Sequence, residues 1–564
     1  MNFNDLPINV PNINEIAKFF AKALADLKKA NDAKSVSKIM KRVNKYGNDI
    51  STDITVIQIR YSIDTTNEEY REANDKLSEI LPQLSMHIIP IEKEILDKPF
   101  RKDLEEIWGS FLFKKYENDV SGFDERIIPE LIEENRLSNE YDAILGGAKI
   151  EYKGQIYNLS QMSKFAQSLD REERREASKL TEKFFKDNDK KIGQIYDKLV
   201  HVRHEMAKKM GYENFIDYGY KKLGRVDYNA EMVAKYRDQI YTTVVPVYKK
   251  LIKRQAERIG IKNPVFCDLN LSFKTGNPTP IGNSAFLVDQ ASKMYNEMSK
   301  ETGEFFQFMR DSNLLSLEAQ PGKRPGGYMT FLPKYKAPFI FSNFNGTSGD
   351  VDVLTHEVGH AFQGYLSRDI AIPEYHMPTL EACEIHSMSM EFLAWPWMNL
   401  FFGDAAEKYK FSHLEHAITF LPYGVAIDEF QHAVYANPDM THEERCAKWR
   451  EIEKKYLPLK KYTGFSYYNK GTWWMKQSHL FGSPFYYIDY TLAQVCAFQF
   501  HNENMKNHEK TWKKYVKLCK MGGKYPFLTL LEKANLRNPF IDGNVKKAIT
   551  PLVKLLKTFD DKNM

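Results

Sequence analysis

The 564 residues contain little cysteine, no long apolar run and almost no excess of either charge. The five cysteines (Cys267, Cys383, Cys446, Cys496, Cys519) are odd in number and widely spaced, with no CxxC pair. That excludes a disulfide framework and points to a reducing cytoplasm as the protein's location. The first twenty residues lack a basic stretch followed by an apolar one, so no secretory leader is expected. No apolar run approaches the ~20 residues of a membrane span, which argues against a membrane partner. Lys and Arg total 80 against 75 Asp and Glu, a net charge of +5. A chain this close to neutral lacks the concentrated basic face that a nucleic-acid partner requires. Repeats and low-complexity tracts are also missing. What is present, 43% hydrophobic and 27% charged residues, describes a soluble globular protein with ample core.

The N-terminal part reads as helices. Ile16, Phe19, Phe20, Leu24 and Leu27 recur at three- and four-residue spacing, and residues 36–45 and 67–82 continue the style. The Lys and Arg of residues 28–45 read as a solvated helix face. KIEYKGQIY, residues 149–157, alternates about Lys153-Gly154 and predicts a short hairpin. After a highly charged stretch, Ile192, Ile195, Leu199, Val202, Met206 and Met210 share one helical face that Gly211 is placed to end. A boundary near 170 divides a helical N-terminal lobe with a hairpin (1–170) from a larger body (171–564). Residues 261–350 are rich in Gly and Pro, with extended runs at 327–331 and 338–344 that predict a small sheet. Helical patterning then resumes to the C-terminus.

The chemistry is concentrated in DVDVLTHEVGHAFQGYL, residues 350–366, which contains His356-Glu357-x-x-His360. Residues four apart on a helix lie one turn apart on the same face, ~5–6 Å between Cβ atoms. Two imidazoles so placed can converge on one zinc ion at ~2.0–2.1 Å. Glu357 projects beside that metal, where it can hold and deprotonate a water. Ser348 is expected to cap the helix, with Asp350 and Asp352 at its positive end. Asp352 stands four residues before His356 and is expected to accept from that ring's second nitrogen. A third ligand is needed. Positions 363 and 366 are Gln and Leu, and the position twenty residues beyond His360 is Leu380. Glu381 and Glu384 remain, on a segment of helical spacing, and spacing alone does not choose between them.

The sequence at this point resembles the thimet oligopeptidase family of zinc peptidases. The carrying motif is HExGH followed by Glu384-x-x-Ser387-x-x-x-Glu391, twenty-four residues after His360. KIEYKGQIYNLSQ, DREERREASK, YDKLVHVRHEMAKKMGYENF and His479-Leu-Phe-Gly482 with Phe485-Tyr486-Tyr487-x-x-Tyr490 are similar to the oligoendopeptidase F branch with its Pz-peptidase members. The likeness spans roughly residues 147–545; before it, only the helical style matches. Some members of the branch carry a third His where this chain has Gln363, a departure that leaves the metal triad untouched. The resemblance implies a mainly α, two-lobed zinc peptidase, with a deep channel and a small sheet beside the HExxH helix. It implies short unfolded peptides as substrates and Glu384 as the third ligand, with His356 and His360, for one zinc ion. It further implies Tyr486 or Tyr490, supported by His479, as donors to the oxyanion, and it brings Tyr487 to the substrate.

The expected reaction is hydrolysis of internal peptide bonds, with Glu357 as general base. Pro338–Phe344 is expected as an edge strand that pairs with an extended peptide, presenting Phe341 and Asn343, with the Gly346 turn close to substrate. His386 can point into the cleft or away from it. His413 and His416 share a helix face without a visible third ligand and read as structural, and Trp473 and Trp474 as packing. The rival readings are a zinc carboxypeptidase and a metal-stabilised peptide-binding protein without activity.

Overall fold

The computed structural model describes residues 1–564. Helices predominate, and only five short strands interrupt them. No helix is long and apolar enough to cross a membrane.

The N-terminal helices Ile13–Lys29, Ala33–Ile63 and Glu68–Leu96 pack on one another and on Ser110–Gly122. Asn12 and Asp32 cap the first two, accepting from backbone N–H groups of the first turn. Ile16, Phe20 and Leu27 are buried as the periodicity predicts, while Phe19 and Leu24 sit at the margin of that core. This lobe has a small hydrophobic core of its own, in which Tyr375 is buried and against which Val226, Ile370 and Ile372 pack from the rest of the chain. The hairpin forms where the alternation places it: β1 (Ile150–Tyr152) pairs antiparallel with β2 (Gln155–Tyr157). The helix Asp189–Lys209 buries Ile192, Ile195, Leu199 and Met206, as read from the sequence.

A three-stranded sheet sits beside the HExxH segment: β3 (Leu315–Glu318), β4 (Tyr328–Leu332) and β5 (Ala337–Phe344), in the order β3-β5-β4. β5 runs parallel to β3 and antiparallel to β4. The expected edge strand is therefore the central one. β5 is nearly all apolar and buried on both faces, the property of a strand with neighbours on each side. The sheet's two edges belong to β3 and β4, and β4 is half-buried along most of its length.

β5 leads directly into the helix that carries the motif, Gly349–Ser367. Ser348 makes no side-chain cap; Asp350 instead accepts N–H bonds from Asn345 (2.9 Å) and Gly346 (2.8 Å). Gly346 has φ +83°, a backbone that glycine tolerates, so the strand end can fold back onto that carboxylate. The motif helix crosses a second helix, Leu380–Leu393, which in turn packs on a third, Tyr487–Asn504. These three helices form the centre of the large core.

Candidate metal centre

The crossing of the first two helices is set by Gly359. A Cβ there would lie 2.6 Å from Ser387 Cα and 2.8 Å from the His386 carbonyl oxygen. With only hydrogen at that position the backbones approach closely, and His356 and His360 face Glu384. His356 Nε2 lies 3.2 Å and His360 Nε2 3.3 Å from Glu384 Oε2. The three ligand atoms all fall within 4.8 Å of one another. A tetrahedral zinc with ~2.05 Å bonds separates its ligand atoms by about 3.3 Å, so the donor set fits that ion. Two imidazoles and one carboxylate are also a donor set that catalytic zinc sites use. Of the two acids left open by spacing, Glu384 is the one that joins this group. Glu381 lies toward Asp489 and Arg225, and burial pushes its carboxyl up to about 8.

Glu384 is only 2% exposed and is held from two sides. Ser387 Oγ donates to its Oε2 at 3.0 Å, and the Tyr486 hydroxyl donates to its Oε1. Burial alone pushes this carboxyl up, but the His360 and His356 imidazoles outweigh it and hold it well below the usual range.

The partner of His356 is not Asp352. Its Nδ1 lies 2.7 Å from Glu391 Oε1, and Glu391 Oε2 lies 2.7 Å from His413 Nε2. Trp395 Nε1, which can only donate, reaches His413 Nδ1 at 3.2 Å. The chain thus has one consistent polarity. His413 accepts at Nδ1 and donates at Nε2, Glu391 accepts twice, and His356 keeps its Nδ1 proton, which leaves Nε2 able to take a metal. Glu384 and Glu391 are seven residues, two turns, apart on one helix, so a single face supplies both a candidate ligand and the support of another. Asp352 instead accepts from the Tyr409 hydroxyl at 2.6 Å, and burial raises its carboxyl to about 6. His413, read as structural from sequence, is part of the support, and His416 lines the neighbouring cavity with Glu391.

Glu357 is buried with its Oε2 unpaired, and burial raises its carboxyl. Beside it stands Gly327, where a Cβ would lie 3.5 Å from Glu357 Oε1. His479 accepts at Nδ1 from Gln477 Nε2 (2.8 Å) and meets the Tyr490 hydroxyl at Nε2 (3.1 Å). Burial keeps this imidazole neutral, its pKa pushed down to about 4. With Nδ1 accepting, Nε2–H donates to the Tyr490 oxygen and leaves the phenol proton free to turn elsewhere. Tyr486 is engaged with Glu384, so the two tyrosines are not equivalent. Tyr487 packs edge-on against His479 and lines the same cavity of about 370 Å³.

The expected peptide contacts on β5 lie elsewhere. Phe341 is fully buried and stacks on Tyr328. Asn343 uses its side-chain NH2 to hold the carbonyls of Arg324 (2.7 Å) and Gly326 (2.8 Å), fixing the approach to β4. Gly346 spends its N–H on Asp350. His386 is 0% exposed, its Nδ1 bound to the Ala382 carbonyl at 2.7 Å, so it points away from the cleft. Each is displaced for one reason: the central strand and the inner face of the second helix are core. Sequence reasoning missed Glu391 as a partner of His356, together with His413, Gln477 and Gly327. The first carried a signal, the seven-residue step from Glu384.

The sequence matches the Peptidase M3 N-terminal domain over residues 3–123 and Peptidase family M3 over residues 291–548. No curated protein matches it. Among solved structures it is similar to Pz peptidase A bound to an inhibitor, at 46% identity, TM-score 0.99 and full coverage of both chains. It is also similar to a "putative oligoendopeptidase F" from Bacillus anthracis str. Ames, at 46% identity and TM-score 0.94, covering 100% of this chain and 99% of that one. Oligoendopeptidase-F from Enterococcus faecium, at 14% identity and TM-score 0.63, shares the fold.

Proposed function

The chain belongs to peptidase family M3 and is a metalloendopeptidase of mainly α fold, and from this premise we propose that it hydrolyses internal bonds of short unfolded peptides with zinc. His356, His360 and Glu384 would hold the ion, which when bound supplies a Lewis acid for water and for the scissile carbonyl. Glu357 takes the proton of the attacking water on its unpaired Oε2 and returns it to the leaving amine. Tyr490, oriented by His479, donates its free hydroxyl proton to the developing oxyanion. Tyr486 steadies Glu384. Glu391 and His413 fix the tautomer of His356. Tyr487 contributes an aromatic wall to the cleft.

The peptide lies along β4, whose free edge can pair with an extended chain. β4 passes Glu357 at the Gly327 end and lines, through Met329, Thr330 and Phe331, a cavity of about 560 Å³ shared with the N-terminal lobe. In this reading residues 1–170 form the lobe and 171–564 the catalytic body, and the lobe limits access to thin chains. All five cysteines are unpaired and buried, which supports a reducing cytoplasm as the working compartment.

The observation that carries this reading is the convergence of His356, His360 and Glu384 beside an unpaired Glu357. Its test is a doubly blocked, internally quenched peptide of about eight residues, a length suited to a cavity-sized cleft, given to wild type and to Glu357→Gln with zinc quantified in both. Cleavage by wild type alone, with equal zinc, is expected. Equal cleavage by both proteins overturns the role of Glu357. No cleavage by either, with zinc retained, favours a peptide-binding protein.

A further inference from the structure

On the far side of Gly326 from β4 lies a second cavity, of about 490 Å³, bordered by Gly326, Ser478 and Lys476. Lys476 is unusual in its surroundings. Its Nζ lies 4.1 Å from the centre of the Trp473 ring, 5.6 Å from Tyr468 and 5.9 Å from Phe185. No carboxylate and no hydrogen-bond acceptor reaches it. Lys460 sits over the same Trp473 ring, at 3.7 Å, yet has Glu453 at 3.1 Å. Two lysines thus share one indole, and only the one at the cavity lacks an acid. Aromatic faces soften the cost of burying an ammonium but do not replace a counter-ion.

The sheet gives this cavity a direction. An added strand pairs more stably antiparallel to β4 than parallel to it. β4 runs from Gly327, beside Glu357, toward the lobe. A peptide antiparallel to it therefore enters from the lobe, passes Glu357 and carries its C-terminal portion toward Gly326 and Lys476. At the lobe end Glu92 and Glu374 line the cavity, each with a buried, unpaired Oε2 that can accept from an amino terminus.

We propose that Lys476 is a specificity-determining residue that binds a substrate carboxylate on the C-terminal side of the cut, either the free chain terminus or an acidic side chain. This rests on the peptidase reading above. A carboxylate arriving there completes the pair that Lys460 already has, and the charge-assisted bond holds the leaving half of the peptide.

The test uses the full-length zinc enzyme and four quenched peptides of one sequence. One pair differs only in a C-terminal acid or amide. The other pair is amidated and carries Glu or Gln downstream of the cut. Wild type is expected to favour the carboxylate member of at least one pair by about tenfold in kcat/KM, mostly through KM. The ratio within that pair falls to near one in Lys476→Met and survives in Lys476→Arg, which also shows that the site still folds. The first pair responding assigns the chain terminus, the second an acidic side chain. A wild type that cuts all four equally, or a Lys476→Met variant that keeps the preference, overturns the inference alone. A wild type that cuts none of them overturns the peptidase reading as well.

Discussion

The helices of the N-terminal lobe and those at the metal centre solve opposite problems. The lobe helix Ile13–Lys29 buries one stripe and leaves its Lys and Glu residues in water. The motif helix Gly349–Ser367 and its partner Leu380–Leu393 are buried almost all round, and the partner is apolar on no single face. A lobe helix is stabilised by its stripe and tolerates change on the wet side. In the centre, polar atoms must be paired inside the core, so each is placed by another: Glu384 by Ser387 and Tyr486, His356 by Glu391, Glu391 by His413. The difference teaches where sensitivity lies. In the lobe it is in apolar volume, and in the centre it is in single hydrogen bonds and in the absence of a methyl group.

The sharpest way to break this contrast is to remove a ligand. Glu384→Ala is expected to abolish tight zinc binding and to lower peptide cleavage by at least about 10³-fold, since a buried histidine pair alone leaves the site a donor short. Metal analysis with a kinetic assay checks it; retained stoichiometric zinc contradicts the assignment. Next comes the supporting chain. Glu391→Ala is expected to weaken zinc affinity by about 10–100-fold, read by competition with a chelator.

A glycine pair compares the two regions directly. Gly359→Ala forces a Cβ to within 2.6 Å of Ser387 Cα and is expected to cost about 1–3 kcal/mol and some zinc affinity. Gly47→Ala, in the middle of the lobe helix Ala33–Ile63 with nothing within 4 Å, is expected to stabilise by about 0.5–1 kcal/mol. Denaturant unfolding of both decides it, and equal signs break the comparison.

The smallest effect concerns pH. Burial, with Asp119 and Glu374 adding to it, raises the Glu92 carboxyl from 4.5 to about 9. The folded state therefore holds this proton more tightly than the unfolded chain. The penalty is absent below pH 4.5, grows as pH rises through neutrality and is complete near 9. Glu92→Gln is expected to raise the melting temperature at pH 8 by a few degrees and to change nothing at pH 4. A gain that is the same at both values contradicts the shift.

Local periodicity makes much of this protein readable. Ile16, Phe20 and Leu27 announce the first lobe helix, and Lys153-Gly154 the hairpin, because one face of each element meets water. His356, Glu357 and His360 are legible because a four-residue step puts two rings on one face whatever the surroundings. Asp352 misleads for the same reason. It is a plausible neighbour along its own helix, but a ring nitrogen is satisfied by whichever acceptor the fold brings up, and here that is Glu391. β5 misleads because a run of apolar residues does not say whether a strand has one neighbour or two.

The sequence by itself determined the mainly helical class and the placing of His356, Glu357 and His360 on one helix as candidate metal pair and base, for these depend on spacing within one element. Tertiary structure alone decided that Gly359 lets Glu384 reach both histidines, that β4 rather than β5 offers an edge, and that Tyr490 rather than Tyr486 keeps a free proton. It also left Lys476 without an acid while Lys460 has one. These are relations between elements distant in the chain, set by close packing and by the need of each buried polar group for a partner.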